Sequence, residues 1–223
     1  MLESPFPKEN LKLLIAPKIS TRYKNRDKTY QDVANYILSF ISVKKGNYFI
    51  YLPSYEYLDR LMEIIEFPKD VTVHIQNRDM SEKDRNDFIS HFKKKSKKTI
   101  VGLAIIGGAF GEGIDLVGDS LIGVVIVGIG LPKINYESNQ IVEYYKQNEI
   151  DGFNYAYTYP GMNKVMQAVG RLIRSETDKG AALLIDERYG WNDYRILFKK
   201  EWDNYEIVYS EDEITESLQK FFK

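Results

Sequence analysis

Two unbroken apolar stretches constrain this chain more than any other feature. Residues 99–106 (TIVGLAII) and 121–129 (LIGVVIVGI) carry no charged side chain and are rich in isoleucine and valine. Runs of this length and composition suit strands covered on both faces, as in a parallel sheet, rather than half-exposed strands of alternating polarity. The longest apolar run, 121–131, falls well short of the ~20 residues a membrane span needs and contains three glycines.

Strand and helix signals alternate along the rest of the chain. Short buried strands are expected at 13–16, 48–52, 71–75 and 181–185, with a last one at 205–209. Between them lie helical faces: Val33, Ile37, Phe40 and Ile41; Tyr55, Leu58, Leu61, Met62 and Ile65; Phe88, Ile89 and Phe92; Met162, Val165, Met166, Val169, Leu172 and Ile173. A further helix is expected at 139–147. Thr29 with Asp32, Ser81 with Asp84, and Ser210 with Glu213 have the spacing of capping boxes, Ser54 can cap the second helix, and Pro160 suits a first helical position. No repeat or long linker interrupts the pattern. The expectation is an α/β layered fold over residues 1–223 with a mostly parallel central sheet. Ligands of such folds gather beyond the carboxyl ends of the strands, and the chemistry-bearing motifs are expected there.

Composition narrows the function classes. With 31 basic and 32 acidic residues the chain has a net charge of −1, so any nucleic-acid contact must come from a local patch. It contains no cysteine, which excludes disulfides and cysteine-ligated metal centres within the chain and fits a reducing cytoplasm. Its two histidines, His74 and His91, are far apart in sequence, and no metal site is expected. The acidic, proline-containing start is not that of a signal peptide, and no membrane association is expected.

Two motifs carry chemistry. Directly after the 99–106 strand come Gly107, Gly108, Ala109, Phe110, Gly111, Glu112, Gly113, Ile114 and Asp115. Clustered glycines let backbone N–H groups approach phosphate or ribose oxygens, and Asp115 offers an acceptor for a ribose hydroxyl. Taken alone, the segment fits a tight turn with satisfied carboxylates equally well. Later come Gln167, Ala168, Val169, Gly170, Arg171, Leu172, Ile173 and Arg174. The three-residue spacing of Arg171 and Arg174 puts both on one face if the helix continues through them. Paired guanidiniums fit a polyphosphate between them, but a bare pair of this kind more commonly forms a surface bridge, here to Asp178 or Asp186. The basic run Lys93, Lys94, Lys95, Ser96, Lys97, Lys98 fits a solvated loop or a phosphate contact. Tyr144, Tyr145, Tyr155, Tyr157 and Tyr159 cluster before the arginine motif, as half-buried packing residues or as base-stacking platforms.

The order of these motifs resembles the C-terminal half of XPD/DinG-type superfamily 2 helicases. The resemblance runs through Ser4-Pro5-Phe6, Ser54-Tyr55, the glycine–acid segment ending at Asp115, Gly130-Leu131-Pro132, the segment from Gln167 to Arg174, Asp178-x-Gly180 and Asp186-x-Arg188. It covers nearly the whole chain. It implies a RecA-like α/β/α domain, the second of two motor domains that hold ATP and magnesium between them. On the matching positions it implies that Gly111, Gly113 and Asp115 face the nucleotide, and that Glu112 couples this loop to the DNA side. It also implies that Gln167, Arg171 and Arg174 face the triphosphate, the arginines as fingers, and that Ser54 and Tyr55 touch the backbone of single-stranded DNA. In that family the first domain supplies the P-loop and the acidic magnesium motif. Neither G-x-x-x-x-G-K-[ST] nor D-E-x-H occurs here, so the chain is expected to be inactive alone and to act with a first RecA-like domain of the same polypeptide. An iron–sulfur cluster would belong to that other half. The resemblance also suggests 5′→3′ movement. The alternative is a non-catalytic nucleic-acid-binding or regulatory module that keeps the motor fold.

Overall fold

The computed structural model describes residues 6–93, 97–108, 110 and 121–223. Seven strands form one sheet: β1 (Leu11–Ala16), β2 (Asn47–Leu52), β3 (Val71–Ile75), β4 (Thr99–Ile105), β5 (Gly123–Val127), β6 (Gly180–Ile185) and β7 (Glu206–Ile207). Their order across the sheet is β3-β4-β2-β5-β6-β1-β7, and every neighbouring pair is parallel. The expected mostly parallel sheet is wholly parallel. The two apolar runs lie inside it as β4 and β5. Every residue of β2, β5 and β6 is buried, whereas edge strands β3 and β7 are only partly covered.

Helices cover both faces. On one lie α1 (Tyr30–Ser42), α2 (Tyr55–Met62) and the C-terminal helix α7 (Glu211–Phe222). They close a core with Ile37, Tyr48, Ile50, Leu61, Val125, Leu183 and Ile214. On the other lie α3 (Glu82–Ser90), α5 (Tyr159–Val169) and a short turn α6 (Asn192–Arg195), over Phe49, Tyr51, Phe92, Val124, Val165 and Leu184. Helix α4 (Tyr136–Lys146) and a π-helical segment (Asn154–Thr158) precede α5. This is the expected three-layer α/β/α architecture.

The caps show which local signals survived folding. The Ser81–Asp84 box forms in both directions, and Ser54 Oγ accepts from the Tyr57 N–H at 3.1 Å. The Ser210 cap also forms, at 3.3 Å to Glu213 N–H, but the Glu213 carboxylate reaches back to the Tyr209 N–H instead. The expected Thr29–Asp32 box does not form. Thr29 has φ −121° and ψ −5°, outside the extended conformation a capping residue needs, and its hydroxyl donates to the Ser20 carbonyl at 2.9 Å. A 3₁₀ turn (Tyr23–Lys28) runs straight into α1 and dictates that conformation.

Candidate functional site

Helix α5 positions the arginine motif. It begins next to the carboxyl end of β5, where a Cβ on Gly161 would lie 2.6 Å from the Ile129 carbonyl oxygen; only glycine lets the helix sit this close. It then runs down the sheet, so that Leu172 packs on Gly180, the first residue of β6. The motif therefore lies towards the amino ends of the strands, not beyond their carboxyl ends as expected. The helix also stops earlier than the motif requires. Val169 is its last residue, Gly170 N–H closes on the Met166 carbonyl at 2.9 Å, and Arg171 and Arg174 follow in non-helical turns. The expected shared helical face is absent because Asp178 organises this stretch: one of its oxygens accepts from the N–H groups of Arg174 and Ser175, each at 2.8 Å.

The turns nevertheless bring the three residues together. Gln167, Arg171 and Arg174 line one open cleft of about 1180 Å³, with Asn163 and Lys199 beside them. Among the described residues lining it, three are cationic and none is a carboxylate. Such a wall suits an extended anion, and guanidiniums supply fork-shaped donors for its oxygens.

The glycine–acid segment starts at the opposite end of the strands. After β4 the chain turns at Gly107, with φ +72°, against the aliphatic stem of Lys164, whose ammonium donates to the Gly130 carbonyl at 3.5 Å. Phe110 then inserts into the core and stacks on Phe88 with ring centroids 4.5 Å apart. Its carbonyl accepts from the Tyr51 hydroxyl at 3.2 Å. Burial pushes the Tyr51 hydroxyl up to about 12, and the Arg171 guanidinium acts against that rise. Tyr51 thus holds the start of the glycine–acid segment on the central sheet. Gly111, Glu112, Gly113 and Asp115 lie outside the described residues, as do Ser4, Pro5, Lys94, Lys95 and Ser96.

Ser54 and Tyr55 stand at the carboxyl end of β2. The Tyr55 hydroxyl accepts from Gln76 Nε2 at 2.9 Å and donates to the Asn77 carbonyl at 3.2 Å. Gln76, itself buried, turns its amide oxygen to the Ile105 N–H at 2.9 Å, at the end of β4. Gln76 therefore joins Tyr55 to the strand that feeds the glycine–acid segment. Sequence reasoning missed it, and also Lys164, since neither belongs to a pattern visible in one sequence. Of the lysine run, Lys97 and Lys98 directly precede β4, at the opposite end of the sheet from Tyr55.

Asp186-x-Arg188 is a structural knot. The fully buried Asp186 carboxylate receives two guanidinium bonds from Arg188, at 2.6 and 2.9 Å, and the Thr21 hydroxyl. The adjacent Tyr189 hydroxyl donates to the Gly128 carbonyl at 2.7 Å, so the ends of β5 and β6 are fastened together and to the segment after β1. His74 and His91, distant in sequence, stack with centroids 4.0 Å apart. Among the described residues no cluster of three or more metal-ligating side chains occurs, and none of the described helices is long and apolar enough to cross a membrane. Tyr145 and Tyr155 stack at 4.1 Å, flanked by Tyr144 and Tyr159.

With this geometry in place, known proteins offer comparisons. A family model described as the helicase C-terminal domain matches residues 37–205. A protein of Methanocaldococcus jannaschii named a probable ATP-dependent helicase is 29% identical over 93% of this chain and 34% of its own length. The ATP-dependent DNA helicase XPD of Sulfolobus acidocaldarius is 30% identical over 78% of this chain and 31% of its own. A protein of Staphylococcus saprophyticus named 3′-5′ exonuclease DinG is 27% identical over 83% and 20%, respectively. The chain thus spans about a third or less of the length of these relatives. A solved XPD helicase superposes with a TM-score of 0.70 over 90% of this chain and 35% of that one, at 23% identity, which speaks for a common fold.

Proposed function

Because this chain belongs to the family of helicase C-terminal domains, we propose that it is the second motor domain of an ATP-dependent DNA helicase, completing an ATP site with a P-loop domain of the same polypeptide. The observation that carries this reading is the cleft where Gln167, Arg171 and Arg174 converge with Lys199 and no described carboxylate. A triphosphate bound there would be gripped along its oxygens, and the guanidiniums would neutralise charge that grows on the transferring phosphoryl group. An arginine finger is worth roughly 10³–10⁵ in rate in GTPases. The acidic motif of the P-loop domain would supply the oxygen ligands that magnesium requires. Any cluster built on cysteine would belong to the other half, since this chain has no cysteine. Gly111, Glu112, Gly113 and Asp115 are assigned to the nucleotide and its coupling to DNA, Ser54 and Tyr55 to single-stranded DNA. This work belongs in the cytoplasm.

ATP hydrolysis by the two-domain protein, with and without single-stranded DNA, tests this reading. DNA-stimulated turnover is expected to fall by about a thousandfold or more, on the order of a finger's worth, in Arg174→Ala. The N–H that meets Asp178 survives that substitution, and a thermal melt checks that the variant is folded. Near-normal turnover in the variant would overturn the finger assignment.

A further inference from the structure

We infer that Arg78 and Arg85 form a phosphate clamp for single-stranded DNA, with Tyr55 as its rigid floor. The inference rests on Tyr55 lying on the DNA path and adds two residues from other elements to it. A small cavity of about 200 Å³ opens at the end of β3, and Tyr55, Gln76, Asn77, Arg78, Arg85 and Gly108 line it. Cavities that enclose whole small molecules run from roughly 300 Å³ upward, so this one suits a single group of a longer polymer. Among the described residues lining it there is no carboxylate.

Three properties favour a phosphodiester. The Arg78 guanidinium lies over the Tyr55 ring, 5.1 Å from its centroid, and so presents a cation beside an aromatic face, the pairing that serves unpaired nucleotides. Its ion pair with Asp59, at 3.3 Å, is more than 60% exposed on both sides, and a screened pair of this kind is readily exchanged for phosphate. The Arg85 side chain, on α3, is exposed and has no hydrogen-bond or ion-pair partner among the described residues. Of the acids on that helix, Glu82, Asp84 and Asp87, Asp84 is committed to the N–H and hydroxyl of Ser81.

The floor is preorganised. Tyr55 is held at its hydroxyl by Gln76 and Asn77, and Gln76 is anchored on the β4 backbone. Binding then costs little side-chain entropy. A Cβ on Gly108 would lie 3.0 Å from the Ile105 carbonyl and 3.4 Å from the Gln76 amide nitrogen, so the same packing sets both the cavity and the entry to the glycine–acid segment.

The test is fluorescence anisotropy of the two-domain protein with labelled oligo-dT and with an abasic strand of equal length, across a salt series. Arg85→Ala and Arg78→Gln are each expected to weaken binding several-fold on both strands. Each should also reduce the slope of log K against log salt by about 0.7, the worth of one single-strand phosphate contact. Arg85→Lys should keep the slope, and thermal melts should show all variants folded. Unchanged affinity and slope in both variants would overturn the clamp while leaving Tyr55 on the path. A loss seen only with the base-bearing strand would overturn the phosphate assignment. No binding by the unsubstituted protein would overturn the underlying reading and the clamp with it.

Discussion

The Tyr51 hydroxyl, at the buried end of β2, donates to the carbonyl of Phe110, 59 residues further along the chain, at 3.2 Å. This bond anchors the start of the glycine–acid segment on the central sheet. Tyr51→Phe keeps the ring and leaves the Phe110 carbonyl without that donor. The expected loss is about 1 kcal/mol in denaturant unfolding, with an unchanged m value. An unaltered midpoint would show that the bond contributes nothing net.

Asp186 is fully buried and paired with an Arg188 side chain only 13% exposed. Asp186→Ala strands a buried guanidinium, and the expected cost is about 3–5 kcal/mol. Adding Arg188→Met to that variant removes the stranded charge and should recover much of the loss in a double-mutant cycle read by denaturant unfolding.

Gly161→Ala should destabilise by about 1–3 kcal/mol, because the new methyl meets backbone, the Ile129 carbonyl oxygen, rather than a movable side chain. The same change at Gly170, where the nearest atom is 3.1 Å away, should cost less. Thermal melts of the two variants side by side check the ranking.

Burial, and then the charge of the stacked His91, hold His74 below the ordinary histidine range. The folded state therefore favours the neutral ring. The contribution is complete above the unfolded value of about 6.5 and is lost as pH falls below it towards the folded value. The melting temperature should drop as pH falls below about 6.5, and His74→Asn should flatten that drop. An identical drop in both proteins would place its origin elsewhere.

Some of this protein was legible from residue order alone. The apolar runs now in β4 and β5 predict strands covered twice because no other arrangement hides both sides of them. The faces of α1 and α5 follow from helical spacing, and the Ser81–Asp84 box from atoms three residues apart. The convergence of Gln167, Arg171 and Arg174 was foreshadowed by the motif, but by the wrong geometry: a helix was expected where Asp178 holds a turn. Thr29 had the spacing of a cap, yet the preceding 3₁₀ turn fixed its backbone and the Ser20 carbonyl took its hydroxyl. These local signals are decided by energies within a turn or two, which a sequence displays. Strand order, the Gln76 bridge, the stacking of His74 on His91 and the Thr21–Asp186–Arg188 knot are not local. Thr21 and Asp186 are 165 residues apart, and only the parallel crossovers of the folded sheet bring the ends of their strands to one edge.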